Sequence, residues 1–421
     1  MNVFVVGGGA REHTIAWKLS QSPKVKKLYA APGNAGTARI AENIPIDAGD
    51  TDSLMQAILA RNIDLVAIGP EGPLSKGLAD LLTTKDMAVF GPSKAAAQIE
   101  ASKAFSKDFM ARNGIPSAGS QTFTNYDEAK SYIASSSFPV VIKADGLSQG
   151  KGVIIANSAQ EAYQALDTIM LSKAFGSAGD AVIVEEFLSG RELSVFAFTD
   201  SLFSSPLVAA CDYKRIFDGN KGPNTGGMGS YSPPRFFTPE LDNLITTTIM
   251  KPVIKSLREE NRPYKGILYG GLMITDSGPK VLEFNARFGD PETQVILPRL
   301  ENDLLDVMMA IAENRLEEIE LKWSTQACVG VVMASGGYPG KFQKGYPISG
   351  LNDVDSDIMV FHAGTALDSE GQVVTSGGRV LSVVARGQNL EEARARVYDN
   401  IKRIEFKDCY YRKDIGEGCN E

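Results

Sequence analysis

The stretch Val281 to Glu292, V-L-E-F-N-A-R-F-G-D-P-E, constrains this chain more than any other. Leu282, Phe284, Ala286 and Phe288 alternate with Glu283, Asn285 and Arg287, the period of two by which a β-strand buries one face and opens the other. A chain carrying this pattern must supply a sheet partner and a core for the apolar side. The polar side is unusual for a face turned only to water. A carboxylate and a carboxamide are hard oxygen donors suited to Mg²⁺, and a guanidinium is a planar donor suited to a phosphoryl oxygen. Gly289, Asp290 and Pro291 then stop the strand, which sets the polar row at a strand end. An ordinary half-buried strand shows the same alternation, so residues elsewhere must decide between the two readings.

Composition narrows the field. With 421 residues, 43% apolar and 22% charged, the chain is globular and long enough for roughly two to four domains. A net charge of −8 with scattered Lys and Arg argues against a general nucleic-acid or membrane-surface binder. An anionic ligand must therefore be met by local devices. Cys211, Cys328, Cys409 and Cys419 form no C-x-x-C pair, which fits reduced thiols in a cytoplasmic protein better than a disulfide framework or a zinc site. The chain enters a strand pattern at Asn2 to Val6 and has no run of about 20 apolar residues, so neither a signal peptide nor a membrane span is expected. His13 and His362 are the only histidines, which disfavours histidine-centred catalysis; His13 reads as a packed or surface residue and His362 as a structural one.

Residues 1 to about 92 alternate strand and helix, predicting an open parallel α/β sheet. Gly7-Gly8-Gly9-Ala10-Arg11-Glu12 after the first strand resembles a dinucleotide fingerprint, but Glu12 replaces the third glycine and no acidic ribose partner follows the second strand. A phosphate of a smaller ligand suits such a turn better. Gly33-Asn34-Ala35-Gly36 and Gly69-Pro70-Glu71-Gly72 fall at neighbouring strand ends and face the same crevice; tight turns alone also account for each. Lys94 to Asn113 has helical composition, with Lys103 inside the helix.

From Pro116 to about Leu188 a small α+β unit is predicted. Gly146-Leu-Ser-Gln-Gly150-Lys151-Gly152 lies between two strands and fails as a P-loop: three residues, not four, precede Gly-Lys, and Gly152 stands where Ser or Thr is needed. A glycine hairpin folding over a triphosphate, with Lys143 on the preceding strand, fits better, and a plain flexible hairpin remains the alternative. Ala181 to Glu192 reads as a strand leaving one sheet for another. Such a crossing frees backbone groups for an adenine edge, while Glu192 can accept from a ribose hydroxyl. Cys211 to Pro233, rich in turn formers with Asp212, Lys214 and Arg215, is a long ordered loop of the kind that carries function. Leu241 to Glu260 is helical, and Lys265 to Thr275 is the hairpin partner of the opening stretch. Ala327 to about Glu421 forms a last, mainly β unit, in which Gly377-Gly378-Arg379 either borders a ligand or serves a turn.

Taken together, V-V-G-G-G-A-R-E-H, A-P-G-N-A-G-T, G-P-E-G-P-L, K-A-D-G-L-S-Q-G-K-G-V, G-P-N-T-G-G-M-G, E-F-N-A-R-F-G-D-P-E-T-Q and R-K-D-I-G resemble the glycinamide ribonucleotide synthetase family of the ATP-grasp superfamily, over practically the whole chain. Cys211 and Ala286 depart from the family pattern, where glutamine and cysteine are frequent. The resemblance implies an N-terminal α/β domain at 1–100, an ATP-grasp domain at 101–325 with a mobile lid at about 120–190, and a C-terminal domain at 326–421, with no fused partner enzyme expected. It implies ATP-dependent joining of glycine to 5-phosphoribosylamine with Mg²⁺ or Mn²⁺, by a cytoplasmic monomer acting on small molecules only. On this reading Glu283 and Asn285 hold the metal. Lys103, Lys143 and Arg287 offset charge on the transferring group, and Lys103, Lys143, Gly150, Glu186, Leu188 and Glu192 bind ATP. Gly9 and Asn34 take the ribose phosphate, while Asp212, Lys214, Thr225, Gly226, Gly227 and Asp290 place glycine and the amine. An ATP-grasp ligase or carboxylase for another acid is the nearest rival. A nucleotide-binding module without turnover is disfavoured by the intact Glu283 and Asn285.

Overall fold

The computed structural model describes residues 1–147 and 152–417. The first unit is a five-stranded parallel sheet of β1 (Asn2–Gly7), β2 (Lys27–Pro32), β3 (Glu42–Asn43), β4 (Leu65–Ile68) and β5 (Ala88–Phe90), in the order β3-β2-β1-β4-β5. Val3 to Val6 are buried because a central parallel strand is covered on both faces. The first helix, Ala10–Ser20, begins at Gly9, whose N–H donates to Glu12 Oε2 at 2.7 Å. The glutamate in the place of a third glycine is thus a capping residue.

A four-stranded antiparallel sheet follows, with β6 (Ser120–Phe123), β7 (Val140–Ala144), β8 (Val153–Ala156) and β9 (Val182–Glu186) in the order β6-β9-β7-β8. It has a core of its own, including Ile133, Ile142, Leu166, Ile169 and Val184. Chain order continues through β10 (Arg191–Thr199), β11 (Val208–Asp212), the short hairpin β12 (Arg215–Phe217) and β13 (Lys221–Asn224), β14 (Gly229–Ser232), β15 (Gly266–Thr275) and β16 (Gly278–Asn285). Then come β17 (Ala327–Ala334), β18 (Met359–His362), the hairpin β19 (Thr365–Leu367) and β20 (Val373–Thr375), and β21 (Arg379–Gly387). Eight of these make one sheet, β16-β15-β10-β11-β14-β17-β21-β18. β14 pairs with β17 from Gly229↔Val331 to Ser232↔Cys328, so the last unit continues the central sheet.

The structure corrects two expectations. Lys94 to Asn113 is not one helix: Gln98–Ala101 stops at Ser102, which is extended (φ −129°, ψ 114°) and caps a new helix, Lys103–Arg112, by accepting from Phe105 N–H. Lys103 therefore opens a helix. The alternation from Val281 breaks at a bulge, because Gly271 pairs with Glu283 and Leu272 with Val281, leaving Leu282 extra. Val281 and Phe284 take the core positions while Leu282 is only half-buried. The strand ends at Asn285, so Ala286 to Phe288 reach their places from the turn. The Leu241 to Glu260 helix runs as Pro239–Ile245 and Lys251–Glu259, joined by a π-helical turn at Thr246–Met250.

Candidate functional site

The capped turn at Ser102 is set by Asp145, which accepts from Ser102 Oγ at 3.2 Å and Ala104 N–H at 3.1 Å. This ties the Lys103 helix to the end of β7. Lys103 Nζ donates to Gly146 O at 2.7 Å. Burial pulls its ammonium below the ordinary lysine value, with Glu283 opposing and Lys143 adding to the effect. One helical turn on, Lys107 lies 3.0 Å from Glu185 Oε2, and Lys143 lies 2.9 Å from the same oxygen. All three are buried. Lys103, Lys107 and Lys143 thus gather beside Glu283, which is exposed and, among the described residues, has neither ion pair nor hydrogen bond at its carboxylate.

Glu283 and Asn285 project from one face of β16 through their pairing with Gly271 and Tyr269. No group of three or more His, Cys, Asp or Glu among the described residues could hold a metal alone. One carboxylate and one carboxamide beside three lysines fit a Mg²⁺-type ion that arrives with phosphates and completes its shell from them and water.

Arg287 stands beside Asn285, its Nη2 donating to Asn285 Oδ1 at 3.4 Å. Its guanidinium is 3.0 Å from Glu71 Oε2 and 2.9 Å from Glu100 Oε1, and it donates to Phe288 O at 3.1 Å. Two carboxylates thus flank the charge expected to meet a phosphoryl group. Burial opposes ionisation of Glu71, but Arg287 and Arg11 outweigh it and hold that carboxyl at about 2. The more enclosed Glu100 is pushed up by burial, which Arg287 only partly offsets.

The crossing from β9 to β10 leaves Phe187 to Gly190 outside both sheets, with Leu188 buried. Glu186 is exposed and pairs with Lys280 at 3.0 Å. Glu192 pairs with Lys214 at 2.6 Å, and Lys214 reaches Asp212 at 2.9 Å. Lys214 draws the Glu192 carboxyl below its ordinary value against burial. Burial opposes the Lys214 charge, but Asp212 and Glu192 prevail and hold it well above the lysine range. Gly150 lies outside the described residues.

The residues expected to place glycine and the amine form a connected run of contacts. Thr225 N–H and Oγ1 donate to Lys214 O at 2.7 and 2.9 Å. Arg379 joins Gly226 and Gly227 to Asp290, whose Oδ2 lies 3.7 Å from where a Cβ on Gly9 would stand. Asn34 differs. Its side chain accepts from Gly36 and Thr37 N–H at 2.8 and 3.0 Å and donates to Gly8 O at 3.0 Å and His362 O at 2.7 Å. It is spent on clasping the two glycine turns to β18.

Sequence reading did not single out Lys107, Glu185, Glu100, Tyr338 or Glu292. Lys107 had a signal, the i,i+4 spacing from Lys103, and Glu185 is the inward member of a glutamate pair on a strand. The other three are brought in by contacts distant in sequence.

Comparison with known proteins agrees along the whole chain. Residues 1–100 match the phosphoribosylglycinamide synthetase N domain, 101–293 its ATP-grasp (A) domain and 328–418 its C domain. A phosphoribosylamine–glycine ligase from Halalkalibacterium halodurans is 48% identical over 99% of this chain and 96% of its own length. One from Caldanaerobacter subterraneus subsp. tengcongensis is 48% identical over 99% and 100%. The crystal structure of the Thermotoga maritima phosphoribosylamine–glycine ligase superposes with a TM-score of 0.86 at 32% identity, covering 99% of this chain and 100% of that one. The biotin carboxylase domain of Hydrogenobacter thermophilus 2-oxoglutarate carboxylase shares the fold, with a TM-score of 0.76 at 15% identity over 97% and 91%. With all three domains matched and close relatives aligned end to end, the chain belongs to the phosphoribosylglycinamide synthetase family.

Proposed function

We propose that this chain ligates glycine to 5-phosphoribosylamine at the expense of ATP, through glycyl phosphate, giving glycinamide ribonucleotide, ADP and phosphate in purine biosynthesis. The observation that carries this reading is the full-length similarity to phosphoribosylamine–glycine ligases, set on a site with a cationic half and a glycine-loop half.

A carboxylate is a poor electrophile, so glycine is first phosphorylated, and the amine then attacks the acyl phosphate with loss of phosphate. Lys103 and Lys143 offset negative charge on the transferring phosphoryl group. Glu185, itself paired with Lys107, holds Lys143 in place. Glu283 and Asn285 would hold a Mg²⁺ or Mn²⁺ ion, which would supply neutralisation of phosphate charge. The backbone around Leu188 meets the adenine, with Glu186 and Glu192 at the nucleoside's edge. Asp212, Lys214, Thr225 to Gly227 and Asp290 orient glycine and the amine, and the Gly9 turn takes the ribose phosphate. Arg287, held by Glu71 and Glu100 with its Nη2 3.4 Å from Asn285 Oδ1, offsets charge on the transferring group together with Lys103 and Lys143. The β6–β9 unit, with its separate core, closes as a lid over ATP and excludes water. The reading has the chain act as a cytoplasmic monomer; among the described residues no helix is long and apolar enough to cross a membrane.

ADP release across a matrix of acids and amines tests the assignment. Release that requires glycine, phosphoribosylamine and the divalent ion together supports it; equal release with other pairs, or none with this one, overturns it.

A further inference from the structure

Arg379 is the first residue of β21, in the last unit of the chain. Its Nη1 donates to Gly226 O, to Asp290 O at 3.1 Å and to Gly227 O at 3.4 Å, while Nη2 lies 3.0 Å from Asp290 Oδ2. From the same unit, Tyr338 OH accepts from Gly226 N–H at 3.0 Å. The fit is close. A Cβ on Gly226 would stand 3.0 Å from Arg379 Cζ, and one on Gly227, at φ +107°, would stand 2.3 Å from Pro291 Cδ. The Arg379 side chain is only 21% exposed. One planar guanidinium therefore serves three carbonyls and a carboxylate from two separate stretches, an arrangement that a lysine's single ammonium on a flexible stem does not reproduce.

We propose that Arg379 is a positioning residue for the glycine and amine half of the site. It fixes Thr225–Gly227 and Asp290 relative to one another, while the nucleotide half, built on Lys103, Lys143 and the β9–β10 crossing, is set without it. This rests on the proposed function for which half takes which substrate. It gives the C-terminal unit a part in substrate placement.

Arg379→Ala and the charge-preserving Arg379→Lys test it in the full chain. In Arg379→Ala, kcat/KM for glycine and for the amine should fall about 100-fold, the scale of a small misplacement of reacting groups, while the KM for ATP stays within about twofold. Free guanidinium should restore part of the alanine variant's rate and none of the wild type's. Arg379→Lys should remain impaired despite its charge. An equal loss for ATP and glycine, or wild-type kinetics, overturns the inference. A second readout needs no turnover. Without substrates, and well below the Tm of either protein, trypsin should cut after Arg215 and Lys221 about 10-fold faster in Arg379→Ala, because charge-assisted bonds holding the loop closed are gone. Equal cutting overturns the inference even if glycine proves to be the substrate. Faster cutting in a protein that does not ligate glycine keeps Arg379 as the loop's anchor and sinks only the function.

Discussion

The main-chain N–H of His362 donates to Nδ1 of His13 at 2.8 Å, joining the last unit to the first helix and requiring His13 to be neutral. Burial chiefly lowers His13 to about 3, with His362 and Arg39 adding to it, and lowers His362 to about 4, with Arg39 adding. An unfolded chain takes up protons on both near pH 6.5, so this contribution is complete above that pH and is lost as pH falls toward 4 and then 3. The expected slope approaches about 1.4 kcal/mol per pH unit for each imidazole. Denaturant titrations between pH 7.5 and 5 check it, and His13→Gln should flatten the profile. A variant with the wild-type slope would exonerate His13.

Glu283 stands without a protein partner among the described residues beside Lys103 and Lys107, as a ligand for an incoming ion should. Glu283→Ala should lower kcat at least about 100-fold at saturating Mg²⁺, the scale of removing one strong electrostatic element. Near-normal turnover would mean that the metal is held elsewhere.

Lys107 and Lys143 share one oxygen of Glu185. Removing the carboxylate strands two buried ammonium groups, whereas removing Lys107 leaves Lys143 still paired. Glu185→Ala should therefore cost about 3–5 kcal/mol of stability and Lys107→Met clearly less. Equal losses in chemical denaturation would show the shared pair to be unimportant.

Glu292 is buried, accepts from Tyr269 OH at 2.8 Å, and is pushed up to about 7, by burial first and by Asp212 second. The folded protein holds this proton between about pH 4.5 and 7 where the unfolded chain has released it, so the stabilisation present below pH 4.5 is lost as pH rises through 7. Glu292→Gln, which carries no charge to bury, should gain on the order of 3 kcal/mol over wild type at pH 8 and little at pH 4.5. The same difference at both pH values would remove titration as the cause.

Much of the fold was readable because its signals are local. Strand–turn–helix alternation in residues 1–92 and the hairpin of β15 with β16 follow from apolar period and turn residues within a few positions. The break at Ser102 was not readable, since it depends on Asp145, 43 residues away. The Leu282 bulge was hidden because the alternation looks regular until β15 sets the register. For the site, residue types in motifs drew attention to Lys103, Lys143, Glu283 and Asn285. They said nothing about partners: Arg287 reads as an open cation until Glu71 and Glu100, distant in sequence, are seen beside it. Asn34 likewise reads as an open side chain until its five bonds to protein are counted.

The pairing of β14 with β17 limits how the gene can be cut. A chain ended at residue 326 would keep β14 as a bare edge of four residues, with unpaired N–H and C=O groups facing water where β17 had been. Such an edge recruits strands from other molecules, so the shortened protein would tend to aggregate. Expressing the two pieces together, with β17 free to dock as an added strand, offers a split site in which ligase activity reports reassembly.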